Sequence, residues 1–273
     1  MKGLVLKAKN FESLQLDQVP GPKPESSEVL VRIKAAALNH RDVWIMQGLY
    51  AKIKLPVILG SDGSGVVEAV GEGVDKGWLK KSVVINPALD WGEDARAQQK
   101  VFRILGMPDN GTQAEYVVVP ASNIFEKPAH LDFENAAALP LAGLTGYRAL
   151  FTKGQLIENE ILLITGIGGG VAGLVMQMAL AAGSKVYVTS GSDHKIKAAI
   201  DQGAINGVNY RKDGWPSELS RMNENDGFDI VVDSAGGPGF QHLLDLVKPG
   251  GRIVVFGATA GTPGDLNLRK IFW

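Results

Sequence analysis

The feature that most constrains this chain is a glycine-rich turn between an apolar strand and an apolar helix. The turn reads TGIGGGVA over residues 165–172 and follows the strand-like run ILLIT at 161–165. Because glycine has no Cβ, the backbone of such a turn comes close to a ligand, and the following helix N-terminus offers unpaired N–H groups and the positive end of its dipole. The pattern predicts that a dinucleotide diphosphate binds here, the alternative being a tight turn without a ligand. The predicted contact residues are Gly166, Gly168, Gly169, Gly170 and Val171.

The second half of the chain alternates between short apolar runs and helical segments. The runs lie at 161–165, 185–189, 207–209, 228–233 and 251–256. Helices are predicted at 133–152, directly after the glycine turn, from Asp193 to Gly203, after Trp215 and at 239–246. Short apolar runs that alternate with helices are typical of a parallel sheet covered on both faces. The sequence therefore predicts an α/β fold with a doubly wound parallel sheet in this half.

The first half is rich in strand-like runs and turn residues. Its runs lie at 29–37, 65–70, 83–86 and 114–119, with proline and glycine between them. This pattern predicts a barrel or sandwich-like β domain. One short helix is predicted from Asn39 to Gln47, with Gly48 as its stop signal. Residues 88–107 fit neither a strand nor a helix, and we expect them to form an irregular excursion.

The composition excludes several kinds of chemistry. The chain of 273 residues has no cysteine, so it can form no disulfide, no thiolate zinc site and no cysteine nucleophile. Its net charge of −1 gives no reason to expect a nucleic-acid partner. Its histidines form no H-E-x-x-H motif and signal no metal; they are His40, His130, His194 and His242. The N-terminus lacks a long apolar segment, and the run at 161–176 is short of a membrane span, so we expect a cytoplasmic protein without membrane association.

The residues after the second strand of the α/β half bear on which dinucleotide binds. NAD sites usually carry Asp or Glu there for the ribose hydroxyls, whereas this chain has Ser190 and Ser192. Asp193 follows, but we interpret it as the N-cap of the next helix. The two hydroxyls and Lys195 suit a 2′-phosphate, which requires donors and positive charge. We therefore expect NADP(H) rather than NAD(H), the alternative being that Lys195 is only a solvated helix residue.

A series of motifs runs in order along nearly the whole chain. They are LNHRD (38–42), PVILGSDGSGVVEAVGEGV (56–74), NGTQAEYVVVP (110–120), AAALPLAGLTGYRAL (136–150), the glycine turn, VVDSAGG (231–237) and LVKPGGRIVVFG (246–257). Together they resemble the medium-chain dehydrogenase/reductase superfamily, in particular its zinc-free quinone-oxidoreductase-like and zinc-type alcohol dehydrogenase-like branch. The resemblance implies a GroES-like β domain over 1–126 and a Rossmann domain over 127–273, with the active site in the cleft between them.

The resemblance also bears on metal and reaction type. Zinc-dependent relatives place a cysteine where this chain has Asn39, a histidine where it has Ser61, and a further ligand near Leu141. Their structural zinc lobe would fall within 87–107, which has no cysteine. Without zinc to assist alcohol deprotonation, the easier reaction is hydride transfer from NADPH to a polarised acceptor, such as a quinone or an α,β-unsaturated carbonyl compound. Zinc-independent reduction of simple aldehydes or ketones, and NADPH binding without catalysis, are the alternatives.

The resemblance assigns roles to individual residues. Asn39 and Tyr50 match residues that line the substrate cleft of zinc-free relatives, and we expect them to donate hydrogen bonds to the substrate. A helix N-cap, with Asp42 three residues on, is the alternative for Asn39, and an amphipathic surface tyrosine is the alternative for Tyr50. His40 and Arg41 are expected at the surface or facing phosphate. The other matched residues are Thr145, Gly257, Ala258 and Thr259 near the nicotinamide, Tyr210 near the adenosine phosphate, and Asp62 as a structural residue.

The sequence ends with IFW (271–273), shortly after the fifth predicted strand of the α/β half. Relatives continue with a sixth strand, so the resemblance implies a Rossmann sheet that lacks its last strand and has an exposed edge. In many relatives that edge forms a homodimer, which we expect to be weakened here. The expected partner is therefore a small-molecule carbonyl or quinone substrate rather than a macromolecule.

Overall fold

The structure is a computed structural model that describes residues 1–272. The chain divides into two compact units, the first comprising Met1–Leu141 and the second beginning at Ala142. The family-domain boundary expected after Glu126 stays a prediction. Among residues 1–272, no helix is both long and apolar enough to cross a bilayer.

The first unit is built from antiparallel β-sheets. Its strands are β1 (Lys2–Leu6), β2 (Leu14–Gln18), β3 (Glu28–Ala37), β4 (Val57–Ile58), β5 (Asp62–Val70), β6 (Ser82–Ile85), β7 (Ala88–Leu89), β8 (Arg103–Ile104), β9 (Tyr116–Pro120) and β10 (Ile124–Glu126). The largest sheet has the order β10-β6-β5-β3-β9, a second has the order β2-β1-β4, and β7 pairs with β8. The β-rich first half predicted from the sequence is confirmed.

Alternating side chains of the largest sheet form the core of this unit. Val29 and Val31 of β3 are completely buried and pack with Val67 of β5 and Val117 of β9. Successive residues of a strand point to opposite faces, so this alternation places one face of the sheet against the core. The hydrophobic pattern of the sequence thus fixes which face is buried.

Two short helices belong to the same unit, α1 (His40–Met46) and α2 (Phe133–Ala137). The chain leaves α1 at Gly48, whose φ of +74° lies in the left-handed region that glycine adopts without strain. The helix predicted from Asn39 to Gln47 is confirmed to within one residue at each end.

The second unit contains a five-stranded parallel sheet. Its strands are β11 (Ile161–Ile164), β12 (Lys185–Ser190), β13 (Asn206–Asn209), β14 (Phe228–Asp233) and β15 (Val247–Val255). The remaining helices of the chain are α3 (Pro140–Tyr147), α4 (Gly170–Ala181), α5 (Asp193–Asp201), α6 (Trp215–Met222), α7 (Phe240–Leu246) and α8 (Leu268–Phe272). The strand order is β13-β12-β11-β14-β15, which confirms the predicted doubly wound sheet.

Both faces of this sheet are covered. Leu162 and Ile164 of β11 pack in one hydrophobic cluster with Val175 of α4. Leu163 points to the opposite face and packs in a second cluster with Leu219 of α6. The chain leaves the central strand β11 toward β12 and later returns on its other side as β14. Such a reversal of strand order opens a crevice at the carboxyl ends of the strands, where ligands of α/β proteins bind.

The outermost strand, β15, is held by an arginine fork. Arg252 donates from Nε to the Gly154 carbonyl oxygen at 2.7 Å, and its two terminal nitrogens donate to the two carboxylate oxygens of Glu160 at 2.6 and 2.8 Å. These hydrogen bonds from Arg252 are the main reason that the pKa of Glu160 is lowered. Within residues 1–272, β15 pairs with β14 alone, and the fork adds to the ion pairs that Lys248 of the same strand makes with Asp226 and Asp229.

Two segments differ from their expected structure. The single helix expected over 133–152 is divided into α2, α3 and a π-helix at Arg148–Lys153. The division follows from Pro140, because proline has no N–H to donate and disfavours helical backbone in the residue before it. The excursion at 88–107 is largely irregular, as expected, but its two ends pair as β7 and β8.

Truncation of Phe228 tests the packing of the second unit. The ring is completely buried and meets Tyr187 edge-on at a centroid distance of 5.5 Å. Phe228→Ala is expected to lower the free energy of unfolding by about 3–5 kcal/mol, measured by urea titration with circular dichroism. Phe272→Ala is the matched control, because that ring is 69% exposed, and it should cost less than about 1 kcal/mol. Equal losses in the two variants would contradict the described core.

Candidate functional site

The glycine turn joins β11 to α4 through backbone that favours glycine. Gly166 has a φ of +68° and Gly168 a φ of +100°, both in the left-handed region. The turn is also held against β12, because the Ile167 N–H donates to the Thr189 carbonyl oxygen at 2.8 Å and the Ser190 hydroxyl donates to the Ile167 carbonyl oxygen at 3.2 Å. Since α4 begins directly after the turn, its first N–H groups have no helical partner and can bind an anion.

A cavity of about 750 Å³ adjoins this turn. Its size is within the usual range for a small-molecule or cofactor site. Eight of the residues predicted from the sequence line it, namely Gly166, Gly168, Gly169, Ser190, Ser192, Lys195, Tyr210 and Thr259. Gly170, Val171, Thr145, Gly257 and Ala258 are not among its lining residues. The structure thus gathers most of the predicted nucleotide contacts around one cavity, while their contacts with a ligand stay a prediction.

A buried carboxylate braces the end of the cavity where β11 and β14 finish. Asp233 accepts a hydrogen bond from the Thr165 hydroxyl at 2.5 Å and another from the Gly236 N–H at 2.8 Å. The Thr165 hydroxyl oxygen in turn accepts from the Ser234 N–H at 3.1 Å. Sequence reasoning missed this brace, although a carboxylate that ends the apolar run FDIVVD was a visible signal.

Further lining residues were also missed by the sequence analysis. Trp215, Phe240 and Leu243 give the cavity an apolar wall that suits a planar base, and Arg211 adds a positive charge. Trp215 begins a helix that the sequence predicts, so it could have been proposed. Arg211 directly follows Tyr210, but its place on the cavity depends on the pairing of β13 with β12, which the sequence alone does not give.

Three polar side chains on the rim of the cavity have no partner within residues 1–272. They are the Lys195 ammonium, the Tyr210 hydroxyl and the Arg211 guanidinium, none of which makes a hydrogen bond or an ion pair there. A ligand in the cavity could therefore use these donors without breaking existing contacts. Two of the three carry positive charge, so the arrangement favours an anionic ligand.

Asp193, the first carboxylate after β12, does not line the cavity. Its Oδ1 accepts a hydrogen bond from the Asn209 amide at 3.0 Å and lies 3.3 Å from the Lys212 ammonium. The hydrogen bonds from Asn209 and Lys212 lower the pKa of Asp193. The interpretation of Asp193 as an N-cap is wrong, because Ser192 occupies the cap and Asp193 is the first helical residue of α5.

A second set of polar residues surrounds the start of α1 in the first unit. The members are buried, and they are Arg41, Asp42, Ser61 and Asp62. Arg41 donates from Nη1 to the Ser61 hydroxyl oxygen at 2.5 Å and to the Leu105 carbonyl oxygen at 2.8 Å. Its guanidinium lies 5.0 Å from the centroid of the Tyr50 ring.

The expectation that Arg41 lies at the surface or faces phosphate is wrong, since only 8% of the residue is exposed. Its hydrogen bonds to Ser61 and to the backbone of the excursion compensate the burial of its charge. His40, by contrast, is exposed and stacks on Trp44 at a centroid distance of 5.0 Å.

Asn39 is held at two points. Its N–H donates to Asp42 Oδ2 at 3.0 Å, as in a capping box, and its amide Nδ2 donates to Asp62 Oδ2 at 2.9 Å. The N-cap role is therefore present in the structure. Because an amide nitrogen carries two hydrogens, one donor of Asn39 is left for another partner.

Tyr50 is only partly exposed and packs against the core cluster that contains Ile45 and Leu59. The structure thus gives its ring a packing role, and the proposed contact of its hydroxyl with substrate stays a prediction.

Burial raises the pKa of Asp62 to about 6. The hydrogen bond from Asn39 and the 2.8 Å hydrogen bond from the Leu141 N–H to Oδ1 both favour the charged form, but they offset the desolvation only in part. Burial also raises the pKa of Asp42, whereas the hydrogen bond from the Asn39 backbone N–H lowers it. The side chain and backbone of Asn39 thus contact two buried carboxyl groups, Asp62 and Asp42, that both hold their protons to a higher pH than usual.

The side chains at the positions of the relatives' zinc ligands do not fit a zinc ion. Asn39 directs an amide N–H to Asp62, and the Ser61 hydroxyl is bonded to a guanidinium, whose positive charge would repel a dication. Leu141, the third position, has an apolar side chain. Among residues 1–272, no cluster of three or more histidines or carboxylates could hold a metal.

The raised pKa of Asp62 predicts a specific pH dependence of stability. A carboxyl group that binds its proton more tightly when folded stabilises the protein at low pH, and that contribution is lost as the pH rises from about 4 through 6. Because Asp62→Asn cannot ionise, its stability relative to the parent protein should rise by roughly 2 kcal/mol between pH 4 and pH 7. Urea titrations across this range measure the difference. Exposed Glu12→Gln is the control and should show no such rise.

Comparison with known proteins agrees with this architecture. Two family models match, the alcohol dehydrogenase GroES-like domain over residues 25–129 and the zinc-binding dehydrogenase over residues 170–272. The zinc-type alcohol dehydrogenase-like protein YogA of Leptosphaeria maculans is 37% identical, with 95% of this chain and 76% of that protein covered. The quinone oxidoreductase of Rattus norvegicus is 30% identical, with 89% and 68% covered.

A solved structure is similar over the whole chain. The crystal structure of an NAD-dependent alcohol dehydrogenase matches with a TM-score of 0.94 and 40% identity, covering 100% of this chain and 82% of the other. The motifs, the β domain followed by a parallel sheet, and the family models all agree. The chain is therefore an oxidoreductase of the medium-chain dehydrogenase/reductase superfamily, a family of nicotinamide-dependent dehydrogenases.

Proposed function

We propose that this protein uses NADPH to reduce a quinone or an α,β-unsaturated carbonyl compound without zinc. The main support for NADPH is one observation. The cavity at the glycine turn presents the free donors of Lys195, Tyr210 and Arg211, while Asp193 is held by Asn209 and Lys212. A phosphate monoester gains charge-assisted hydrogen bonds from such a rim, whereas a ribose diol would lack its usual carboxylate acceptor.

The cofactor would be held in parts. The glycine turn and the first N–H groups of α4 would bind the diphosphate, and Trp215, Phe240 and Leu243 would cover the adenine. The residues proposed near the nicotinamide are Thr145, Gly257, Ala258 and Thr259. When bound, the reduced nicotinamide supplies the hydride.

The acceptor would be activated by hydrogen bonds from the first unit. Negative charge develops on the carbonyl oxygen during reduction, and positioned donors stabilise it. We assign this role to the remaining amide N–H of Asn39 and to the hydroxyl of Tyr50. Asp62 fixes the Asn39 amide by accepting its other N–H, so the donor is oriented before the substrate arrives.

The proposed absence of zinc favours acceptors that are already polarised. A conjugated carbonyl or a quinone accepts hydride readily because the charge is delocalised onto oxygen, whereas zinc would help most in deprotonating a plain alcohol. The quinone oxidoreductases among the relatives are consistent with this substrate class. A second candidate is the reduction of simple aldehydes or ketones, which the alcohol dehydrogenase names of other relatives favour.

The cofactor proposal predicts a clear difference in affinity. NADPH should bind at least about ten times more tightly than NADH, because the charge-assisted bonds to the 2′-phosphate are available to it alone. Fluorescence titration of the full chain with each reduced cofactor measures both dissociation constants. Equal affinities would reject the proposed cofactor.

The substrate proposal predicts turnover that depends on Asn39. Asn39→Ser keeps a residue type that caps helices but removes the amide donor. Its kcat/KM for a quinone should fall by about a hundredfold with unchanged NADPH affinity. Asn10→Ser, at the cap of an exposed turn in the same unit, is the control and should leave kcat/KM unchanged.

The acceptors should be compared as a panel of quinones, enones and simple aldehydes. Faster reduction of simple aldehydes would replace the first candidate by the second. No turnover of any acceptor by a protein that binds NADPH would support a non-catalytic role.

A further inference from the structure

We propose that Arg211 selects the 2′-phosphate of the cofactor, and that Lys195 serves the diphosphate instead. This inference rests on the proposed use of NADPH and divides the positive rim of the cavity between two ligand groups. It also revises the expectation from the sequence, which gave Lys195 the 2′-phosphate.

The position of Arg211 is defined by Gly191, the first residue after β12. An ideal Cβ placed on Gly191 would lie 2.9 Å from Arg211 Nε and 2.8 Å from the Tyr210 hydroxyl oxygen. Both polar groups therefore lie directly against the backbone at this strand end. In dinucleotide-binding sheets the residue that reads the adenosine ribose acts at the end of this strand. Arg211 thus reaches, from the end of the neighbouring strand β13, the place where the 2′-substituent of the ribose is recognised.

Sheet pairing explains how a residue so distant in sequence reaches that place. The Tyr210 N–H donates to the Ser190 carbonyl oxygen at 3.1 Å, which continues the parallel pairing of β12 with β13. Arg211, the next residue, therefore lies beside the end of β12. Since Gly191 has no side chain, the space next to it is open to Arg211 and Tyr210.

Lys195 follows a different course. An ideal Cβ on Gly168 would lie 2.5 Å from Lys195 Cδ and 3.1 Å from its Cε. The aliphatic part of the lysine thus crosses the glycine turn, and its ammonium is attached one bond beyond Cε. The turn is where the diphosphate is expected to bind, and that group is common to NADPH and NADH. Lys195 should therefore strengthen the binding of both cofactors alike.

The chemistry of the two cations agrees with this division. A guanidinium is a planar fork that binds two oxygens of one phosphate, whereas an ammonium acts as a point charge. The Tyr210 hydroxyl adds a third kind of donor beside the guanidinium. Asp193 does not line the cavity, and its Oδ1 is bonded to Asn209 and Lys212. Arg211 is therefore left available for a phosphate.

The test compares single variants of the full chain against two matched pairs of ligands. The pairs are NADPH with NADH, and 2′-phospho-ADP-ribose with ADP-ribose. Within each pair the two ligands differ only in the 2′-phosphate, and the second pair keeps the diphosphate but lacks the nicotinamide. Dissociation constants are measured by calorimetry or by tryptophan fluorescence. Arg221→Gln is the charge-matched control, because Arg221 belongs to α6 and does not line the cavity.

Arg211→Gln should weaken the binding of NADPH and 2′-phospho-ADP-ribose by about tenfold or more and leave NADH and ADP-ribose within about twofold. Lys195→Gln should weaken all four ligands by a similar factor. Gly191→Ala should reduce NADPH affinity but not NADH affinity, because the new methyl group displaces the side-chain ends of Arg211 and Tyr210. Thermal unfolding midpoints equal to that of the parent protein show that each variant is folded.

Two results would overturn the inference in distinguishable ways. If Lys195→Gln loses the preference for NADPH while Arg211→Gln keeps it, the division between the two cations is wrong and the proposed function stands. If the parent protein itself binds NADPH and NADH equally, the cofactor proposal fails and the inference fails with it.

Discussion

The parallel pairing of β11 with β12 on one side and β14 on the other is the constraint on which the cavity at the glycine turn depends. It brings the carboxyl ends of these strands to one edge of the sheet, so the glycine turn, Ser190 and Asp233 meet there. Hydrogen bonds then fix the turn to both neighbours, through Ile167 to β12 and through Thr165 to the buried Asp233. A turn rich in glycine would otherwise be flexible, and these bonds hold its N–H groups in place before a ligand binds.

The parts of the site that are local in sequence could be predicted, because their geometry follows from residue type. The glycine turn between an apolar strand and helix is such a part, and so is the Asn39 cap with Asp42 three residues on. Pro140 is equally local, and its effect on the helix expected over 133–152 could have been foreseen. Arg211 could not be assigned in this way, since its position depends on which strand lies beside β12.

The burial of Arg41 could not be predicted from the sequence either. From the sequence alone, an arginine near the start of a short helix is expected at the surface. Its burial depends on Ser61 and on the carbonyl oxygen of Leu105, which the chain brings together only when the β-sheet and the excursion have formed. The same contacts separate this chain from a zinc site, because a guanidinium stands beside a position where relatives place a metal ligand.

The fork of Arg252 has a mechanical consequence for the outermost strand. A strand with a single neighbour can slide along it, because each step restores an equivalent ladder of backbone bonds with its side chains turned to the other face. The contacts of Arg252 with Gly154 and Glu160 lie on the segment that leads into β11, and they can be satisfied in only one position of β15. Together with the ion pairs of Lys248 to Asp226 and Asp229, these contacts oppose slippage of β15. They thereby fix where the segment after β15 begins, including Thr259 on the cavity wall.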